Sequence, residues 1–154
     1  MERIYEIYIK TTPERLWQAL TDPEMRQKYS FGARVNSDWT TGSKYQATGM
    51  GHPIFEGENV EVHPPHRLVQ TFRALWGDDV KAEGTSRVTF EIEQVEDSCL
   101  LTVTHSEMRE NANPQIYGGW MMVLSGLKTL LETGDTLTTP GSIRLRDEWS
   151  AAAN

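Results

Sequence analysis

Four histidines, one cysteine and a scatter of strand carboxylates are the side chains from which a reaction centre could be built here. His63 and His66 lie three apart, but Pro64 and Pro65 separate them at what reads as a strand end. That is not helical spacing, and no cysteine or carboxylate pattern completes a ligand set, so no metal is expected. No Gly-x-Ser-x-Gly elbow is present, and no cysteine–histidine pair stands at a recognisable spacing. Gly49-Met50-Gly51 has no helix after it to present a phosphate and reads as a turn. Cys99, beside a hairpin turn, reads as a small, half-buried hydrophobe, since a nucleophile would need a base and an electropositive setting. Neither a catalytic set nor a cofactor is expected from these residues.

Strand alternation is more informative, because side chains two apart share a face. If Val60 and Val62 face the core, then Glu56 and Glu58 do too; if Leu101 and Val103 face it, so does His105. A carboxylate or imidazole among apolar neighbours has its charged form disfavoured unless something pairs with it. Two accounts stay open: a satisfied polar network or a bulge that turns these groups outward, or a ligand-orienting or acid/base role. Tyr45, Phe72, Trp76 and Trp120 fall on inward phases, with Phe31, Trp39 and Phe55 less firmly placed. Many large rings with a few polar groups is the usual lining of a small-molecule pocket. The expected ligand-binding set is therefore Tyr45, Glu58, Phe72, Trp76, His105, Trp120 and Leu124.

The elements that must hold these residues follow from the pattern. Residues 3–10 are rich in β-branched and aromatic types and read as a strand. Thr12-Pro13-Glu14 and Asp22-Pro23-Glu24 each combine an N-cap with a first-turn proline, predicting two short helices. From Arg34 to Ser106 the chain alternates and turns as about six strands, with Pro64-Pro65 and Glu96-Asp97-Ser98 among the breaks. Asn113-Pro114 opens, and Thr133-Gly134 closes, a long helix. Its apolar stripe is Ile116, Trp120, Val123, Leu124, Leu127, Leu130 and Leu131. Gly119 and Gly126 share an edge of that stripe, which suggests close approach of another backbone.

Strands grouped together with helices set apart define an α+β domain, in which the sheet and the long helix cover each other. The expected organisation is one domain over residues 1–136 and a tail over 137–154 that could pack back, contact a second copy in a homodimer, or move freely. The net charge of −7 weighs against nucleic acid and against anionic membrane surfaces. No apolar run reaches the roughly 20 residues that span a bilayer, and no secretory segment opens the sequence, so a cytoplasmic location is expected.

Five stretches carry a family likeness: residues 12–17 with 20–24, Ser37-Asp38-Trp39 with Gly42, residues 61–68, residues 101–106, and Gly119-Trp120 with Leu124, Leu127 and Leu131. In this order they resemble the helix-grip superfamily of START domains and the birch pollen allergen. Within it, they look most like bacterial proteins related to the C-terminal domain of Aha-type activators of the heat-shock chaperone ATPase. Lys28-Tyr29 departs from the pattern, because many relatives carry paired tryptophans there. The resemblance implies a curved antiparallel sheet of six or seven strands wrapped round the C-terminal helix. It also implies a cavity for a small hydrophobic molecule, with a cyclase- or hydrolase-type enzyme and a stress-related co-chaperone-like interaction domain as the alternatives.

Overall fold

Alternating β-branched and aromatic residues give seven strands in the computed structural model, which describes residues 1–153. They are β1 (Arg3–Ile9), β2 (Arg34–Ser37), β3 (Lys44–Gly49), β4 (His52–His63), β5 (Arg67–Ala74), β6 (Thr85–Val95) and β7 (Ser98–Ser106). All neighbours pair antiparallel, in the order β1-β7-β6-β5-β4-β3-β2. The first strand thus lies beside the last, and β1 and β2 form the two edges. Tyr5 pairs with Val103, Ile7 with Leu101 and Ile9 with Cys99. Their covered face continues through Val88, Phe90 and Leu68.

The two short helices start where the sequence predicts. In α1 (Pro13–Thr21) the Thr12 hydroxyl accepts a hydrogen bond from the Arg15 amide, and in α2 (Pro23–Tyr29) the Asp22 carboxylate accepts from the Glu24 amide. Leu16 and Leu20 are buried in the main core. The acidic stretch after β5 contains one helical turn, α3 (Asp78–Lys81).

The long C-terminal helix is shorter than predicted. Asn113 does cap a turn, its side-chain oxygen accepting from the Gln115 amide, but that turn is a 3-10 segment, Pro114–Ile116. The α-helix α4 spans Trp120–Thr133 and ends on Gly134 in the left-handed conformation. Gly118 and Gly119 separate the two pieces, as glycine's conformational cost inside a helix favours. Ile116 consequently leaves the stripe and packs with Ala74, Val80, Met108 and Ala112 in a second cluster. Leu124, Leu127, Leu130 and Leu131 cover the sheet. The close approach expected at Gly126 is real: a methyl there would sit 3.2 Å from Tyr29 Cβ and 3.7 Å from the Tyr29 backbone. At Gly119 the neighbour is instead the ring of Phe31.

The tail forms a further helix, α5 (Pro140–Ala153), which lies back on the domain. Leu145 touches Gly32, and Gly141 lies against the Phe31 ring on the side away from Gly119. No helix among the described residues is long and apolar enough to cross a membrane.

Candidate functional site

A row of rings crosses the covered face of the sheet from β3 to α4. Centroid separations are 6.3 Å for Tyr45–Phe55, 5.2 Å for Phe55–Phe72, 5.3 Å for Phe72–His105 and 6.3 Å for His105–Trp120. Phe90 and Tyr5 flank Trp120 at 5.8 and 6.4 Å. Such tilted and edge-on pairs are the preferred geometries of aromatic contacts. Tyr45 is buried, whereas Phe55, Phe72 and Trp120 are half-buried, so the row is open along part of its length.

His105 sits at the centre of the row with 0% exposure. Trp120 Nε1–H can only donate, and it lies 3.2 Å from His105 Nδ1. Nδ1 must therefore accept, which places the proton on Nε2, 2.8 Å from Ser86 Oγ. The Ser86 hydroxyl in turn donates to the Phe72 carbonyl at 3.4 Å. Both ring nitrogens are thus engaged, and a second proton would set Nδ1–H against the indole N–H. Burial alone pushes the imidazole pKa down from 6.5 to about 4. His105 is a neutral, fixed group with no lone pair left for proton transfer.

Two expected residues lie elsewhere. Glu58 faces solvent opposite Lys44, because a bulge between Asn59 and Glu61 shifts the phase of β4. Val62 thereby reaches the core while Glu56 and Glu58 turn outward, Glu56 lying 3.8 Å from Arg73. Trp76 is 41% exposed, because β5 ends at Ala74 and the alternation that carries Phe72 inward stops there. It does not form a wall opposite Trp120. Tyr45, Phe72, His105 and Trp120 are brought together along the row, and Leu124 is buried beside it on α4.

Of the buried polar groups that sequence reasoning missed, two stand out. Asn59 occupies the inward position that Glu58 was expected to take. Its amide nitrogen donates to Ser37 Oγ at 2.8 Å and Ser43 Oγ at 3.0 Å, and its oxygen accepts from Gln70 at 2.9 Å. The second is Arg26 on α2, only 5% exposed. Its Nη1 donates to the Leu20 carbonyl at 3.0 Å, near the C-terminal end of α1. Nε is closed off from solvent without a partner, and no carboxylate lies within ion-pair distance among the described residues. The α1 terminus supplies about half an elementary charge, worth at most about 2 kcal/mol. Burying a full guanidinium charge costs several kcal/mol, so the carbonyl offsets only part of it. Tyr29 and Tyr45, which feel the Arg26 charge, provide no counter-ion. Burial pushes Tyr29 up to about 12 and Tyr45 higher still, and both hydroxyls donate to backbone carbonyls at 2.6 Å. One signal was available: Arg26 lies three residues before the buried Tyr29, on the same face of α2.

The interior is closely filled. The best-formed recess among the described residues has about 10 Å³ of room, roughly one water molecule. It lies where Phe72 and Ser86 meet Met108, Ala112 and Ile116, under the segment leading to α4. Glu83 pins that segment, accepting two Arg109 guanidinium bonds at 2.7 Å and the Asn113 amide at 2.9 Å. These bonds hold its carboxyl below the usual range.

A family model described as activator of Hsp90 ATPase homolog 1-like protein matches residues 10–132. No curated protein matches the sequence. Among solved structures, CalU16 from Micromonospora echinospora is 21% identical with a TM-score of 0.73, covering 98% of this chain and 84% of its own. The Aha1 dimer from Colwellia psychrerythraea is 21% identical with a TM-score of 0.71, covering 88% and 98%. PFC0360w, an HSP90 activator from Plasmodium falciparum, is 24% identical with a TM-score of 0.71, covering 85% and 96%. At these identities the likeness to solved structures establishes the fold.

Proposed function

The chain belongs to the activator of Hsp90 ATPase homolog 1-like family, and we propose that it binds a small apolar or aromatic molecule along the ring row under α4. The observation that carries this reading is the row itself: rings in contact from Tyr45 to Trp120, half-buried at Phe55, Phe72 and Trp120. A half-buried ring on an inner face retains apolar area that a ligand would remove from water. Because the recess has about 10 Å³ of room, a ligand binds only by displacing side chains that now fill this face. Tyr45, Phe72, Trp120 and Leu124 then form the contact surface, and His105 fixes the Trp120 ring rather than moving protons. We place this activity in the cytoplasm.

A neutral fluorescent dye that brightens in apolar surroundings provides the test. Purified protein should take up the dye saturably, and a panel of aromatic and aliphatic compounds should displace it. Phe72→Ala and Trp120→Ala should each weaken uptake, since aromatic rings dominate such contacts. A folded protein that takes up no dye would end the binding reading.

One observation favours a second reading, a stress-related interaction domain. Ile4 and Tyr8 are 56% and 58% exposed on the outward face of the edge strand β1. A protein partner or a second copy could cover them, and one solved relative is an Aha1 dimer. Tyr8→Asp would then abolish association while leaving dye uptake unchanged.

A further inference from the structure

We infer that the ligand of the ring row is an apolar carboxylic acid whose carboxylate pairs with the buried guanidinium of Arg26. The inference rests on the binding reading above and names the chemical class of the ligand.

Arg26 is 95% withdrawn from solvent, yet Nη1 to the Leu20 carbonyl is the single hydrogen bond its guanidinium makes among the described residues. A guanidinium carries five N–H donors in a planar fork and stays charged at every physiological pH. Here Nε is closed off from solvent and has no acceptor among the described residues. The protein carries a net charge of −7, so acidic side chains are plentiful. None pairs with this cation among the described residues. Arg67, Arg73, Arg87 and Arg109 each meet a glutamate at the surface. Arg26 is the buried exception.

Its position connects it to the ring row. α2, which carries it, packs against β2, whose Ser37 pairs with Tyr45 at the start of the row, and Tyr29 on the same helix packs against α4 at Gly126. A ligand with its anionic end at Arg26 would lay its apolar body along Tyr45, Phe55 and Phe72. A carboxylate suits the fork because two parallel N–H···O bonds match its two oxygens. One negative charge also balances one guanidinium, where a phosphate dianion would leave a buried excess.

The test compares acids with neutral molecules of the same shape, using calorimetry on the full chain. Naphthalene-2-carboxylate is paired with naphthalene-2-carboxamide, and dodecanoate with dodecanol, so that aromatic and lipid-like sources are separated. The wild type should bind at least one acid about tenfold or more tighter than its neutral partner, as expected for a charge-assisted pair. Arg26→Met should remove that preference while retaining binding of the neutral compound. Arg26→Gln, which keeps polarity without charge, should do the same if the methionine variant folds poorly. Arg67→Met, a surface control, should leave the preference intact. Equal binding of acid and neutral partner by the wild type would overturn the inference and leave the binding reading standing. Loss of the preference in Arg67→Met as well would reduce it to a diffuse charge effect and overturn it too. Failure of all four compounds to bind would overturn both readings.

Discussion

His105 and Arg26 are both buried nitrogen groups on opposite stretches of the same interior, and the core treats them in opposite ways. His105 has two nitrogens and two partners, arranged so that one neutral tautomer satisfies every bond. Arg26 has a permanent charge, one carbonyl and an unpartnered Nε. A satisfied network specifies one core, whereas a buried polar group left without partners costs the fold free energy. The histidine belongs to the fold. The fold alone does not explain the arginine.

The largest effect sets the scale for the core that both groups share. Leu127 is fully buried between α4 and the sheet. Leu127→Ala should cost about 2–5 kcal/mol in urea unfolding. A change below about 0.5 kcal/mol would mean that α4 does not seal this interior.

The next effect belongs to His105 and is set by pH. Its folded pKa of about 4 lies below the ordinary 6.5, so between these values the unfolded chain binds more protons than the folded one. The associated stability is complete above pH 6.5, is lost as pH falls through the window, and amounts to about 3 kcal/mol at most. His105→Gln does not titrate there. The stability difference between wild type and variant should therefore shrink from neutral pH to about pH 4. A constant difference would show that His105 is not held neutral.

The contrast between the two groups also marks how far the sequence could be read. Caps at Thr12, Asp22 and Asn113, the Gly134 stop and the strand alternation were legible because they depend on local rules. So was the inward phase of His105, since β7 runs without a bulge. Glu58 was misplaced because a bulge depends on the pairing of β4 with β5 rather than on β4 alone. Trp76 was misplaced by extending an alternation two residues past its strand. The long helix was over-extended across Gly118-Gly119 because Ile116 continues the stripe numerically while packing elsewhere. Arg26 was missed for a different reason. An arginine on a short amphipathic helix defaults to solvent, and its burial arises from tertiary packing of α2 against β2 and α4.

A smaller effect should appear when one bond of the satisfied network is removed. Trp120→Phe keeps most of the ring but deletes the donor to His105 Nδ1. A buried acceptor left without its donor costs about 1–3 kcal/mol. The vacated lone pair can also take a proton more readily, so the His105 titration followed by NMR should move upward from about 4. No loss of stability together with an unmoved titration would show that the Trp120–His105 bond does not form.

The smallest change should carry the opposite sign, and the comparison depends on it most. Replacing a satisfied buried group costs stability; replacing a buried charge that lacks a counter-ion should not. Arg26→Met keeps the aliphatic stem and its packing while removing the charge, its desolvation cost and the bond to the Leu20 carbonyl. The lost hydrogen bond costs about 1.5–3 kcal/mol because its donor is charged. Relief of the uncompensated charge is worth several kcal/mol in the other direction. The net expectation is a gain of up to about 1 kcal/mol in ligand-free protein, read as a higher urea midpoint at unchanged slope. An apolar carboxylate at saturating concentration should reverse the order, since the wild type alone gains the ion pair on binding. If Arg26→Met instead loses about 2 kcal/mol or more without ligand, the α1 carbonyl already suffices for the charge. Arg26 would then join His105 as a structural group.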